Sequence, residues 1–166
     1  MLHCHLLRDG MMTQDIAEKV RQAGVVGACG AGFPTYVKLK AKVETYIVNA
    51  AECEPLLCKD QELMKRHAAE MVRGLELAMQ ATGAPRGVIA IKEKYVEAIA
   101  ILRKHIGSNI DFYYYQNFYP AGDEFIIVYD VTGRLIPPGG IPLDVGCAVN
   151  NVETLINIAR AVDGTP

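Results

Sequence analysis

The chain has 166 residues, of which 51% are hydrophobic and 22% are charged, a composition typical of one globular domain and not of a disordered chain. Lys and Arg number 17 and Asp and Glu number 19, so the net charge of -2 gives no basis for nucleic-acid binding. The sequence has no apolar run of the roughly 18–20 residues that a membrane span needs, and its 5 cysteines form no C-x-x-C pair, which indicates free thiols in a reducing cytoplasm.

The first predicted element is a helix that follows a leader. Residues 1–12 are predicted to be disordered. Thr13 or Asp15 is expected to cap the helix, and Gly24 is expected to end it. The apolar face of this helix is predicted to contain Ile16, Val20 and Ala23.

The middle of the chain alternates apolar strand patterns with helical patterns. Strands are predicted at 45–49, 87–91 and 111–115, with helices over 60–82 and 94–106 between them. Near-continuous apolar strands joined by helices predict an α/β fold. The expected architecture is a Rossmann-like parallel sheet that is covered by helices on both faces, with right-handed connections.

The last part of the chain has a less definite pattern. Residues 122–131 combine β-branched residues, which favour a strand, with ends that permit a helix, so both assignments stay open. A Pro- and Gly-rich loop is predicted over 134–146. Asn150 and Glu153 have the spacing of a capping box that opens a final helix over 151–162.

A glycine-rich turn is the first candidate binding segment. Gly27, Gly30 and Gly32 precede a short predicted helix that has Pro34 in its first turn and Lys38 one turn later. Backbone N–H groups in such a turn can approach a phosphate, and the helix dipole favours an anion. The segment has neither the G-K-S/T of a Walker A motif nor the G-x-G-x-x-G spacing, and a turn needed only for close packing explains the glycines equally well.

Polar side chains follow the first predicted strand. Asn49, Glu52 and Glu54 come directly after it, at the edge where open parallel sheets bind ligands. Their oxygens can accept hydrogen bonds from hydroxyl groups or from an imide N–H. A solvated acidic loop is the alternative explanation for the same residues.

Two later segments carry similar groups. Gly122 permits close backbone approach, and Asp123 and Glu124 add carboxylates, although acidic residues are also favoured at a helix N-terminus. Asn150 and Asn151 are polar, and capping alone explains the first of them. The spacing of cysteines and histidines fits neither a four-thiolate cluster nor a zinc hydrolase, so no metal ligand is predicted.

Taken in order along the chain, four segments resemble one family. They are GACGAGFPTYVKL (27–39), VNAAECEP (48–55), YPAGDE (119–124) and VNNVETL (149–155). From about residue 13 to Pro166, the chain resembles the FMN- and NADH-binding domain of respiratory complex I flavoproteins, RnfC, the cobalamin reductase PduS and the proline-reductase-associated protein PrdC. The AECEP segment, together with YPAGDE and PPGGIPLDVG, is more similar to RnfC, PduS and PrdC than to complex I.

The resemblance implies that the domain binds FMN, takes NADH as a substrate and is helical over 122–131. The glycine loop would cradle FMN with Lys38 near the flavin, and Phe33 would help to hold NADH. The implied cofactor-binding residues are Gly27, Gly30, Gly32, Phe33, Lys38, Asn49, Glu52, Glu54, Tyr119, Gly122, Asp123, Glu124, Asn150, Asn151 and Thr154. No catalytic side chain is implied, because the hydride passes directly to the flavin.

The implied activity is that of an NADH:acceptor oxidoreductase, in which electrons continue from FMN to iron–sulfur clusters. The 4Fe-4S clusters and a β-grasp domain are expected downstream, so residues 13–166 are expected to be a fragment that is inactive or only diaphorase-like by itself. The expected partner is a downstream electron-acceptor protein. The expected location is the cytoplasm, including the cytoplasmic face of a membrane complex or the interior of a bacterial microcompartment.

Three positions depart from the complex I pattern. Ala51 stands in place of an aspartate, and Ala28 and Cys29 stand in place of an arginine and a glycine. The loss of a carboxylate and a cation leaves an alternative open, in which the domain is a nucleotide-binding or docking module that no longer binds flavin. A domain that binds another phosphorylated ligand through 27–35 is a further alternative.

Overall fold

The fold is built on one parallel sheet. A computed structural model describes residues 15–28, 32–52, 54 and 56–165, so the predicted leader over 1–12 and the predicted cap Thr13 lie outside the described residues. Within the described ranges, the sheet has the order β3-β2-β1-β4. Its strands are β1 (Thr45–Ala50), β2 (Arg86–Lys92), β3 (Ile110–Tyr115) and β4 (Cys147–Asn151), all parallel. The predicted α/β class with a parallel sheet is confirmed.

Helices connect these strands and pack against them. The described part of α1 covers 15–22. The other helices are α2 (Thr35–Lys40), α3 (Lys59–Arg66), α4 (Ala68–Thr82), α5 (Val96–Leu102), α6 (Glu124–Thr132) and α7 (Val152–Asp163), with a 3₁₀ turn at Pro142–Val145. Gly83 ends α4 in left-handed backbone with φ 72°, a conformation that glycine adopts without steric cost.

The central strands β1 and β2 are mostly apolar on both sides, and both faces of the sheet are buried there. In β1, Tyr46 and Val48 join the core cluster that includes residues of α4, α5 and α7. Ile47, between them, joins a second cluster with Ile127 and Val128 of α6. Successive side chains of a strand point to opposite faces, so helices cover the sheet on both faces, as predicted.

Two helix predictions are wrong in length. The predicted helix over 60–82 consists of α3 and α4, which are separated at His67, where φ −125° and ψ 30° interrupt the helical backbone. The predicted helix over 94–106 ends at Leu102, because the N–H groups of Lys104 and His105 donate three residues back, as in a 3₁₀ turn. On α1, Ile16 and Val20 are buried, but Ala23 follows the helix and is exposed, so it does not belong to the buried face.

The C-terminal prediction missed β4. Asn150 lies inside this strand, beside Val48 of β1, and not at a helix cap. Asn151 is the N-cap of α7, and its Oδ1 accepts a hydrogen bond from the Glu153 backbone N–H at 2.9 Å. The Glu153 carboxylate instead bonds Lys59, so the predicted capping box is wrong. Most of residues 122–131 belong to α6 (Glu124–Thr132), so the segment is helical, as the resemblance implied.

Candidate functional site

A cleft lies at the carboxyl ends of β1 and β4. In the sheet, β2 and β3 lie on one side of β1 and β4 lies on the other, so the connections diverge between β1 and β4. Open parallel sheets bind ligands at such a topological switch point, in the crevice that the diverging loops leave. The cleft has a volume of ≈ 380 Å³, within the range of small-molecule sites.

The structure brings together most of the residues that the sequence predicts to bind a cofactor. Those lining the cleft are Gly27, Phe33, Lys38, Asn49, Gly122, Asp123, Glu124, Asn150, Asn151 and Thr154. They come from all four of the segments that carry the family resemblance. The fold therefore gathers distant parts of the chain around one cavity.

Asn49 joins two loops at the end of β1. Its Nδ2 donates to the backbone oxygen of Gly122 at 2.9 Å, and its Oδ1 accepts from the Ala51 N–H at 3.2 Å. The side chain thus holds the segment after β1 against the segment before α6. Ala51 is fully buried, so no side-chain polar group at this position reaches the cleft.

The end of β4 supplies a second set of fixed polar groups. Asn150 donates through Nδ2 to the Tyr46 hydroxyl at 2.9 Å, and burial raises the pKa of Tyr46, which keeps that hydroxyl protonated. Thr154, in the first turn of α7, accepts at Oγ1 from the Ala28 N–H at 3.1 Å. This bond ties the glycine-rich turn to α7.

Lys38 places a positive charge in the cleft. Its Nζ donates to the backbone oxygen of Val149 at 2.6 Å and lies 3.8 Å from Glu124 Oε1. The ammonium also lies 5.4 Å from the centre of the Phe33 ring, within the range of a cation–π contact. Lys38 is the sole basic residue among the described residues that line the cleft.

Asp123 has a structural role that its position predicted. Its Oδ1 accepts from the backbone N–H groups of Phe125 and Ile126 at 2.9 and 3.2 Å, which caps α6. Glu124 occupies the first turn of the helix, next to Lys38. The cap therefore fixes the point at which Glu124 enters the cleft.

An apolar wall of the cleft was not predicted from the sequence. It is formed by Ile141, Pro142 and Leu143, and the backbone around Ala148 and Val149 continues it. Arg134 donates from Nη1 to the Val145 oxygen at 2.7 Å and pairs with Glu44, which anchors this loop to the start of β1. The PPGGIPLDVG segment, which contributes to the family resemblance, was the available signal in the sequence.

Glu52 and Glu54 line a separate groove beside the cleft. The groove also contains Lys92, Lys94 and Tyr95. Lys92 is 6% exposed, and its Nζ donates to the backbone oxygen of Glu52 at 2.8 Å, which holds the loop after β1 in place. The structure therefore does not place these two glutamates in the cleft with the other predicted residues.

Two other predicted residues do not line the cleft. Tyr119 is 79% exposed and lines neither cavity, and Gly32 is an exposed turn residue with φ 59°. Gly30 lies outside the described residues. The Gly27 N–H, predicted to approach a phosphate, donates instead to the Phe33 oxygen at 2.9 Å.

A buried carboxyl group, Asp60, lies behind the cleft and was not singled out in the sequence as a site residue. It is 4% exposed, and its Oδ2 accepts from Asn151 Nδ2 at 2.5 Å. Burial is the largest cause of a raised pKa at Asp60, and the charge of Glu52 adds to the shift. The Asn151 hydrogen bond and the Lys59 ammonium act in the opposite direction without reversing it.

The raised pKa of Asp60 predicts a pH-dependent effect of Asp60→Asn on stability. The folded state binds this proton more tightly than the unfolded chain, so the contribution of Asp60 to the free energy of unfolding falls as pH rises from its ordinary pKa of 3.8 through the folded value. An asparagine at position 60 does not titrate, so its contribution to the free energy of unfolding does not fall in this pH range. Urea unfolding across that window should show the stability of Asp60→Asn rising relative to wild type with increasing pH, and a pH-independent difference would contradict the assignment.

Within the described residues, two kinds of feature are absent. No group of three or more His, Cys, Asp or Glu side chains is arranged to hold a metal ion. None of the helices in these ranges has the length and hydropathy of a membrane span.

Comparison with known proteins identifies the family. The family described as the Nuo51 FMN-binding domain matches residues 20–160. The chain belongs to this family. The resemblance found in the four sequence segments is thereby confirmed, and the cleft lies inside the matched region.

The chain is similar to longer oxidoreductases. It is 53% identical over 150 residues to the cobalamin reductase PduS of Citrobacter freundii, covering 90% of this chain and 33% of that protein. It is 39% identical over 165 residues to a component of the Na(+)-translocating ferredoxin:NAD(+) oxidoreductase complex of Acetobacterium woodii, covering 95% of this chain and 37% of that protein. The chain thus spans about a third of the length of these relatives.

A solved structure has the same fold. An NAD+-reducing NiFe-hydrogenase in the air-oxidized state matches with a TM-score of 0.76 and 29% identity. The match covers 89% of this chain and 30% of the hydrogenase chain. The α/β architecture of this chain is therefore that of a domain within a larger redox protein.

Proposed function

We propose that the cleft binds FMN and that the domain supports hydride transfer from NADH to FMN in an NADH:acceptor oxidoreductase. Electrons would then pass to iron–sulfur clusters outside this chain. The observation that carries the proposal is the convergence of the family-matched segments at the switch point of the sheet. Membership of an FMN-binding family supports the choice of cofactor.

The residues of the cleft fit FMN in polarity. Ile141, Pro142 and Leu143 give an apolar wall that suits a flat ring, and Lys38 supplies a positive charge for an anionic ligand. In the adjacent groove, the buried Oε2 of Glu52 has no hydrogen-bond partner within the described chain, so it is available to an N–H or hydroxyl donor. Polar groups at the strand ends and apolar walls between them are typical of cofactor sites.

When bound, FMN supplies the chemistry of hydride acceptance and single-electron release. The side chains of this domain bind and orient the cofactor, and the apolar wall excludes water. Lys38 and Glu124 set the charge around the ligand, and Asn49 keeps the two loops at the mouth of the cleft together. No side chain is required as a general base, because a hydride transfer moves no separate proton.

A binding titration tests the proposal. FMN fluorescence and absorbance should show saturable binding near one FMN per chain, and NADH added anaerobically should bleach the bound flavin. Absence of saturable FMN binding would favour the docking-module alternative, which the buried methyl group of Ala51 motivates. Binding of other nucleoside phosphates without FMN would favour the phosphorylated-ligand alternative.

Glu124→Gln is expected to raise the midpoint potential of bound FMN by about 20 to 40 mV, because one negative charge near the flavin disfavours its reduction. Spectroscopic redox titration measures this shift. Glu54→Gln is the matched control, since Glu54 is exposed in the groove and its charge is better screened. Equal shifts in the two variants would contradict a specific role of Glu124.

The intact protein is proposed to act with a downstream electron-acceptor protein or subunit. Its similarity to PduS and to a component of an ion-translocating complex supports action within a larger assembly, at the cytoplasmic face of a membrane complex or in a microcompartment. Electron paramagnetic resonance on the intact protein tests the electron path beyond FMN. Addition of NADH should reduce the iron–sulfur clusters and produce their signals.

A further inference from the structure

Asp60 is a buried residue that connects the cleft to the groove. It lies in the first turn of α3 and lines neither cavity. Its Oδ2 accepts from Asn151 Nδ2 at 2.5 Å, and its backbone N–H donates to Glu52 Oε1 at 3.1 Å. Asp60 therefore contacts one residue of each cavity.

The neighbours of Asn151 determine the orientation of its side-chain amide. The Glu153 backbone N–H is a donor, so Asn151 Oδ1 must face it, at 2.9 Å. Nδ2 must then face Asp60, which accepts one of its two hydrogens. The second hydrogen is left for a ligand in the cleft, which Asn151 lines.

Asn151 is the nearest hydrogen-bond partner of the Asp60 side chain. Lys59 Nζ lies 3.6 Å from Asp60 Oδ1 but is closer to Glu153 Oε2, at 2.7 Å. Oδ1 has no hydrogen-bond partner among the described residues. Burial raises the pKa of Asp60, and the charge of Glu52 acts in the same direction. In either protonation state, Asp60 Oδ2 can accept the hydrogen bond from Asn151.

We propose that Asp60 is a positioning residue of the binding site, which fixes the amide of Asn151 so that one Nδ2 hydrogen is available to FMN. The proposal deepens the proposed function and rests on it. Asp60 acts only through Asn151, since it does not line the cleft itself.

A double-mutant cycle on FMN binding tests this role. Asp60→Ala and Asn151→Ala should each weaken FMN binding about tenfold, the loss of about one hydrogen bond. The double variant should bind no more weakly than Asn151→Ala, because Asp60 has no effect once its partner is absent. Asp60→Asn should keep near wild-type affinity, since its Oδ1 is an equivalent acceptor. Losses that multiply in the double variant would overturn the proposal.

Two further variants separate positioning from general destabilisation. Thr82→Val removes a buried hydrogen bond to the Ala78 oxygen, far along α4, and should lower stability without weakening FMN binding. Asp60→Leu keeps a side chain that branches at Cγ but has no acceptor, and it replaces Asp60→Ala if that variant does not fold. If Thr82→Val weakens FMN binding as much as the Asp60 variants, the positioning role is wrong.

A measurement on the ligand-free protein distinguishes failure of this proposal from failure of the proposed function. The Asn151 side-chain amide signals in an NMR spectrum are assigned by their loss in Asn151→Ala. They should move toward free-amide values in Asp60→Leu and stay near wild-type positions in Asp60→Asn. Unchanged signals in Asp60→Leu would overturn the role of Asp60, whereas shifted signals in a protein that does not bind FMN would overturn only the proposed function.

Discussion

Gly74→Ala is expected to lower the free energy of unfolding by about 3 kcal/mol, because no space exists for a methyl group at this position. Gly74 lies in α4 where it packs against α7. A Cβ at Gly74 would lie 1.9 Å from the Leu155 backbone oxygen and 2.6 Å from its carbonyl carbon. Backbone atoms cannot rotate aside as a side chain can, so the two helices would have to separate.

Urea unfolding of the Gly74→Ala variant measures this loss. Alanine has a higher helix propensity than glycine by about 1 kcal/mol, and this gain opposes the steric effect. A net loss of stability in Gly74→Ala therefore has to come from the steric clash. Gly107→Ala is the matched control, since its Cβ would meet the movable side-chain oxygen of Asn109 at 3.2 Å. A Gly74 variant as stable as the Gly107 variant would show that the two helices are not in close backbone contact.

The same substitution connects packing to the site. Leu155 follows Thr154 in the first turn of α7, and Thr154 bonds the Ala28 N–H at the cleft. Separation of α4 from α7 would therefore move the groups that line the cleft as well as the core. For this reason we expect Gly74→Ala to weaken FMN binding as well as to lower the free energy of unfolding.

Local sequence patterns predicted three of the four strands. Each of β1, β2 and β3 contains a run of apolar or aromatic residues between breaks, a signal carried by neighbouring residues. Of the five residues of β4, only Val149 is β-branched, and its two asparagines also suit a helix cap. Asn150 is accommodated in this strand by the Tyr46 hydroxyl, a partner 104 residues away that no local pattern contains.

The break between α3 and α4 has a similarly distant cause. Apolar residues continue with helical spacing across it, so periodicity predicts one helix. His67, at the break, contacts Glu70 through Nδ1 at 3.1 Å and lies near Arg160 of α7. Arg160 also donates to Glu70 at 2.8 Å. The geometry at the break thus involves a helix from the other end of the chain.

The candidate site was predictable where it depends on strand ends. Asn49 follows from the rule that ligands lie at the carboxyl edge of a parallel sheet. Asn151 follows from the family resemblance alone, because β4 was not predicted. The wall at 141–143 was missed because a Pro- and Gly-rich loop has no periodicity, and its place depends on Arg134. Glu52 was expected beside Asn49, but its bond to the Asp60 N–H directs it into the groove.

Lys38→Met is expected to weaken FMN binding about 30-fold, because charged hydrogen-bond partners contribute about 1.5 to 3 kcal/mol. The substitution removes the sole basic side chain among the described residues of the cleft wall and leaves Glu124 without its ammonium partner at 3.8 Å. An anionic ligand would then meet an acidic cleft. Fluorescence titration with FMN measures the change in the dissociation constant.

Lys40→Met is the matched control for this prediction. Lys40 is on the same helix, but its exposed ammonium lies over the Tyr36 ring and outside the cleft. Both variants lose one positive charge, so a change confined to Lys38→Met must come from the position of the charge. Added salt should weaken FMN binding more in wild type than in Lys38→Met, because the salt screens the charge that the variant lacks. Equal FMN affinities in the two variants would show that Lys38 does not contribute to binding.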